Sequence, residues 1–259
     1  MADPVDPDLV TATRSVVAEA GALALSRWRT DFRRWEKAPG NPVCEVDLDI
    51  DRFLRERLSA VLPDAGWLSE ETADDPVRLR HRRIWVVDPI DGTRDYVRGR
   101  PGWAVSVALV DSGRPVLGLL HAPAREESWQ AVEGAGTTRN GVPVHAGTCA
   151  SLAGARVPSD GLPRADRDMV SVAKPNSIAL RIAMVAADEA DLVATQRWGN
   201  EWDVAAAALI ATEAGATVTD ALGQQLAFNQ PVPRAFGVLV SAPALHAAAL
   251  ARLAARVRE

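Results

Sequence analysis

Over Trp85-Val86-Val87-Asp88-Pro89-Ile90-Asp91-Gly92-Thr93, an apolar, β-branched run stops in two carboxylates. Val86 and Val87 suit a buried strand, and Pro89 has no N–H with which to continue one. The pattern predicts a turn at Pro89 that presents Asp88 and Asp91 together. Asp, Pro and Gly also favour turns for local reasons, so an ordinary strand-ending turn fits the same residues. Read chemically, two carboxylates and the carbonyl of Ile90 suit a hard cation such as Mg²⁺. Gly92 and Thr93 add backbone N–H groups and a hydroxyl, the donors that hold a phosphate. The segment points to phosphate-ester chemistry.

With 259 residues and 47% hydrophobic content, the chain can bury a large core in one domain or two tightly joined halves. A net charge of −5 and the lack of a basic block argue against a nucleic-acid polymer as partner. The nearest approach, Arg78-Leu79-Arg80-His81-Arg82-Arg83, reads as a solvated connecting face. Cys44 and Cys149 form neither a disulfide framework nor a metal knuckle. The start, Met1 to Asp6, lacks the layout of a signal peptide, and no uninterrupted apolar run reaches transmembrane length. The expectation is a reduced, cytoplasmic protein with no membrane partner.

Helical spacing runs from Asp8 to about Thr30 and from about Asp47 to Val61, with a polar loop from Arg33 to Pro42 between them. Trp67-Leu68 reads as a short strand leading into Ser69-Glu70-Glu71-Thr72. Strand patterns at Trp103–Val110, Val116–His121 and Glu127–Val132 predict an antiparallel meander, and Asn140-Gly141 a hairpin turn. A small-residue stretch from about Ala146 to Asp168 marks a seam between residues 1–150 and 151–259. Beyond it come a helix at Ser177–Ala187 capped by Ser177, a strand at Asp191–Thr195, and a helix at Trp202–Ala214 closed by Gly215. A strand at Phe236–Ser241 and a terminal helix at Pro243–Val257 follow. The fold class is α+β, an antiparallel half joined to a mixed α/β half.

Glu70, Asp47 and Asp203 each stand at the edge of a regular element, where a site would be held rigidly. Each also reads as a helix cap or a loop acid. The histidines, His81, His121, His145 and His246, fall outside these positions and read as structural.

Together these residues resemble the inositol monophosphatase family. Asp88-Pro89-Ile90-Asp91-Gly92-Thr93 is similar to its first signature. Trp202-Asp203-Val204-Ala205-Ala206-Ala207 through Glu213-Ala214-Gly215 is similar to its second. Ser69-Glu70-Glu71 and Lys37 fit in the correct order, and the matches span nearly the whole chain. The resemblance implies a layered αβαβα fold and hydrolysis of a phosphate monoester by metal-activated water, with two or three Mg²⁺ ions and lithium sensitivity. It casts Glu70, Asp88, Asp91, Asp203 and the Ile90 carbonyl as metal ligands, and Gly92 and Thr93 as phosphate binders. Asp47, Glu70 and Thr93 become the catalytic group that orients water, and Lys37 lies on a loop closing over the metals. Homodimers are common in the family. Where the family often has Thr, this chain has Cys44, a weaker hydrogen-bonding group.

Thr93-Arg94-Asp95-Tyr96 and the Arg181-bearing helix resemble bacterial 3'(2'),5'-bisphosphate nucleotidases. That resemblance implies 3'(2'),5'-adenosine bisphosphate as substrate, with Arg181 or Arg197 pairing with its second phosphate. Each arginine also reads as an ordinary surface residue. Trp198 borders the same region, as core or as substrate platform. Inositol-1-phosphate and histidinol phosphate are alternatives. A different class, a non-catalytic anion-binding protein on the same fold, would have no need of the Asp47–Thr93 pair.

Overall fold

The computed structural model describes residues 5–38 and 41–256, without the side chains of residues 37, 38, 41, 42 and 256. In the first part, α1 (Pro7–Arg27), β1 (Arg34–Ala38), β2 (Asn41–Cys44), α2 (Glu45–Val61) and β3 (Gly66–Ser69) precede β4 (Arg83–Asp91) and the short α3 (Thr93–Val97). The meander follows as β5 (Ala104–Asp111), β6 (Arg114–Ala122), β7 (Glu127–Val132), β8 (Gly136–Arg139) and β9 (Val142–Pro143). The remainder holds β10 (Arg156–Pro158), β11 (Val170–Val172), α4 (Ile178–Ala186), β12 (Leu192–Asn200), α5 (Glu201–Glu213), β13 (Thr217–Thr219), β14 (Arg234–Ser241) and α6 (His246–Arg256).

Strands β3 to β9 form a seven-stranded sheet in sequence order, antiparallel except for the β3–β4 pair. Its central strands are buried on both faces, so they read as continuous apolar runs. Period two still sorts their side chains. Trp85, Val87, Val105, Val107 and Leu109 pack with α1 and α2, whereas Ile84, Val86, Ala108 and Val110 pack with α4 and α5. Beyond α4 and α5 lies a second sheet, ordered β12-β14-β13, and its far face is covered by Leu245 from the turn before α6 and by Ala249 and Leu253 of α6. The layering is αβαβα, as expected.

Helix α5 explains its own alanines. It is buried from Val204 to Ala211 between two sheets, and a helix apolar all round needs small side chains to admit a sheet on either side. At Gly118 on β6, an added Cβ would sit 2.6 Å from the Ala206 carbonyl oxygen.

Several expectations are corrected. The Arg33–Pro42 region is the antiparallel β1–β2 pair rather than a loop, with Trp35 opposite Val43. Pro89 does not end β4. The strand reaches Asp91 through an irregularity between Asp88 and Asp91, where a ladder tolerates a residue without an N–H. β12 runs on to Asn200, and the short β10, β11 and β13 carry too few residues for a periodic signal. α1 is long and apolar enough, by length and composition, to cross a membrane, although Arg14 and Glu19 interrupt its apolar run. Its stripe of Val16, Val17, Ala20 and Ala24 belongs to the core beside α2.

Arg78 is not solvated. It is 2% exposed, and its guanidinium donates to Asp74 at 2.6 Å, to Asn229 Oδ1 at 2.7 Å and to the Gln230 carbonyl at 2.8 Å. Glu201, at the start of α5, accepts from the N–H groups of the same two residues at 2.7 and 2.8 Å. This clamp fixes where α5 begins. Packing of α5 against the sheet is equally exacting: Gly118→Val should cost roughly 1–3 kcal/mol through overpacking, read as a fall in Tm by calorimetry.

Candidate active site

Glu70, Asp88 and Asp203 each offer a carboxylate oxygen within 4.8 Å of the others. They come from the exit of β3, the end of β4 and the first turn of α5. A cavity of about 240 Å³ opens over them, lined also by Ile90, Asp91, Gly92, Thr93, Arg94, Asn176 and Arg181. The local chain aims each acid. Asp88 Oδ1 accepts from the Ile90 N–H at 3.0 Å, and Asp203 reaches back to accept from the Asn200 N–H at 2.8 Å. Gly92 adopts φ 96° at the turn into α3, and its carbonyl accepts from the N–H groups of Asp95 and Tyr96. Tyr96 anchors α3, donating its hydroxyl to the Ala24 carbonyl at 2.8 Å and packing edge-on against Trp103.

Burial and crowding push Asp88 and Asp203 towards the protonated form. For Asp88, burial leads, followed by repulsion from Glu70, Asp91 and Asp203. Asp203 is pushed up to about 7 by burial, partly offset by the Asn200 N–H, with Asp91 and Glu70 adding to the rise. A hard dication relieves this repulsion, and an all-oxygen donor set suits Mg²⁺. The residues present therefore fit the metal that the sequence implied.

Asp47 lies 1% exposed at the third position of α2. Its Oδ2 accepts from the Cys44 N–H and from the Cys44 thiol, both at 2.8 Å. Its Oδ1 lies 3.1 Å from Thr93 Oγ1, which is also 3.0 Å from the Ile90 carbonyl. Having one proton, Thr93 donates to one of these acceptors at a time. Burial raises Asp47 to about 6 against the lowering effect of its hydrogen bonds. Burial and the neighbouring Asp47 also push the Cys44 thiol up, so the thiol stays a donor at neutral pH. The Cys44 thiol thus meets the same carboxylate oxygen as the Cys44 N–H.

Other expected residues separate. Arg181 lines the cavity, but its Nε donates to the Pro175 carbonyl at 2.8 Å and another nitrogen to the Asn176 carbonyl. Arg197 lines a smaller neighbouring cavity with Asn200 and Asp203. Trp198 is 65% exposed, edge-on to Phe236, and so is not core. Lys37 lies on β1, and its side chain is outside the described residues. The histidines expected to be structural lie apart from the acidic cavity: His81 meets the Asp64 carbonyl, His121 meets Ser128, and His246 sits between Thr219 and Ser241. Asn176 was not anticipated, because nothing in its local sequence marks it.

Asp91 has a second attachment. Its Oδ2 accepts from Ser177 Oγ at 2.5 Å and the Ala179 N–H at 2.7 Å, and its Oδ1 from the Ile178 N–H at 3.3 Å. The carboxylate caps α4 while lining the cavity. Asp91→Asn should therefore lower Tm as well as turnover, because an amide nitrogen cannot accept from the helix N–H groups; a lost cap costs on the order of 1 kcal/mol. Thermal denaturation of the metal-free variant reads the first effect apart from the second.

The profile of the Inositol monophosphatase family matches residues 6–259. The chain is 33% identical over 219 residues to a fructose-1,6-bisphosphatase/inositol-1-monophosphatase of Thermotoga maritima, covering 81% of this chain and 84% of that protein. It is 32% identical to a histidinol-phosphatase of Chlorobaculum parvum, covering 85% and 88%. It is 30% identical to the 3'(2'),5'-bisphosphate nucleotidase CysQ of Aggregatibacter actinomycetemcomitans, covering 75% and 77%. A solved IMPase of Thermotoga maritima superposes with a TM-score of 0.83 at 28% identity, over 97% of this chain and 98% of that one. Such similar identities to three activities do not single out the nucleotidases. Over this length and at these identities, the chain belongs to the inositol monophosphatase family, as one of its Mg²⁺-dependent phosphomonoesterases.

Proposed function

We propose that this phosphomonoesterase acts on a small bisphosphorylated nucleotide, with 3'(2'),5'-adenosine bisphosphate as its substrate. The observation that carries this reading is the mixed charge of one cavity. Glu70, Asp88 and Asp203 converge there, and Arg94 and Arg181 line the same space. Carboxylates suit a phosphate only through cations, whereas guanidinium groups pair with a second phosphate directly. Trp198, exposed and five residues before Asp203, offers an aromatic face of the kind on which a base stacks.

Glu70, Asp88 and Asp203 would hold the metal, with Asp91 and the Ile90 carbonyl completing sites for two or three ions. Bound Mg²⁺ supplies neutralisation of the phosphate charge and a more acidic water. Thr93 donates to Asp47, which leaves the Thr93 oxygen free to accept a proton from the attacking water. Glu70, which lines the same cavity, would help to orient that water. Asp47, buried and raised to about 6, takes the proton that Thr93 gives up as its oxygen accepts one from water. Gly92 and the start of α3 bring N–H donors to the phosphate.

A phosphate-release panel tests the substrate: adenosine bisphosphate, inositol-1-phosphate, histidinol phosphate and fructose-1,6-bisphosphate. Adenosine bisphosphate should give the highest kcat/KM, and Arg94→Ala should raise KM for it about tenfold while leaving inositol-1-phosphate nearly unchanged, as expected for a lost charged contact. Equal rates on all four would remove this substrate but not the reaction class. A pH prediction follows from the raised carboxyls. Below about pH 4 both folded and unfolded chains hold these protons. As pH rises, the unfolded chain ionises first, so the metal-free fold loses stability until Asp47 and Asp203 titrate at about 6 and about 7. Mg²⁺ binds the ionised form, so the rise in Tm on adding Mg²⁺ should grow from pH 5 to 7 and then level off. A rise independent of pH would contradict the metal assignment.

A further inference from the structure

We infer that Asp51 is a positioning residue that sets the metal-facing geometry of Glu70. Asp51 follows Asp47 by four residues on α2, so the two carboxylates stand one turn apart on one helix face. It is 5% exposed. Each of its oxygens takes one hydroxyl from the segment that carries Glu70. Ser69 Oγ donates to Oδ1, and Thr72 Oγ1 donates to Oδ2 at 2.6 Å. Ser69 is the last residue of β3 and is itself buried. Its hydroxyl oxygen also accepts from the Glu71 N–H at 3.4 Å. Glu70 therefore sits between two residues tied to one carboxylate, while its own N–H reaches the Val87 carbonyl on β4 at 3.3 Å.

Three tethers on four consecutive residues leave the 69–72 segment little freedom. Two lead to α2 and one leads to the strand that carries Asp88. A buried carboxylate is costly unless its lone pairs are met, and both oxygens are met here only while the segment keeps this shape. Helix α2 thereby fixes two groups at once: Asp47 against Thr93 by its first turn, and Glu70 against Asp88 by its second. Groups behind a metal ligand commonly set affinity through its orientation, and their loss weakens binding by about 10–100-fold.

The inference rests on the reading of Glu70 as a metal ligand, and the test separates the two. Mn²⁺ binding to the full chain is measured by electron paramagnetic resonance of the free ion, with the Tm of the metal-free protein recorded alongside. Asp51→Ala should weaken Mn²⁺ binding about tenfold. Ser69→Ala and Thr72→Val should each weaken it about threefold, and adding either to Asp51→Ala should weaken it no further. Should Asp51→Ala fail to fold, the two hydroxyl variants carry the test. A lowered Tm with Mn²⁺ affinity unchanged in these variants, while Glu70→Gln binds Mn²⁺ weakly, would overturn the inference alone. Wild-type Mn²⁺ affinity in Glu70→Gln would overturn the reading of Glu70 and the inference with it.

Discussion

Carboxylates that share one cavity repel one another, and the fold around the site is arranged to hold them there regardless. Each of four acids has an oxygen satisfied by a backbone N–H close to it in space: Asp47 by Cys44, Asp88 by Ile90, Asp203 by Asn200, and Asp91 by the first turn of α4. A hydrogen bond to the charged form offsets part of the burial cost and fixes the carboxyl plane. For Asp47 and Asp203 the donor belongs to the residue that caps their own helix, so helix formation and site formation are one event. The cap reading and the functional reading of these acids, which look like competitors in the sequence, describe the same hydrogen bonds.

That coincidence explains how much of the site the sequence disclosed. Asp47, Asp88, Asp203 and Thr93 were legible because their partners lie within three residues or within the same signature. Asp51 was not, because it means nothing until Ser69 and Thr72, 18 and 21 residues away, fold against it. The capping of α4 by Asp91 spans 86 to 88 residues and was equally hidden. Arg78 was misread for a related reason. A run of arginines looks solvated, and only the arrival of Asn229 and Gln230 from the far end of the chain turns one of them into a buried clamp.

The fold was legible at the level of layers and less so at the edges. Period two in β4 and β5 and helical spacing in α1 and α2 are strong signals because each element faces a large apolar partner. β1 is exposed at Arg34, Trp35 and Glu36 and has no such backing, and in β2 only Val43 and Cys44 reach the core, too few for a period. The two strands pair chiefly with each other, so polar composition hides them. The extension of β12 to Asn200 likewise carries Arg197 and Trp198 on an exposed strand end, where burial imposes no pattern.

Mixed charge in the cavity bears on how a phosphate ester could be sorted from an ordinary anion. The carboxylates exclude anions until cations neutralise them, so Arg94 and Arg181 alone make a weak site. Arg181 is further restrained by donating to the Pro175 and Asn176 carbonyls, on the segment that leads into the α4 turn capped by Asp91. Its charge is consequently carried by a backbone segment tied to one of the acids. On the proposed reading, a bisphosphate with one phosphate on the cations and the other on the guanidinium groups would touch a single connected unit, β4–α3 and the start of α4. On that reading, the shared unit would link metal binding to substrate binding by geometry.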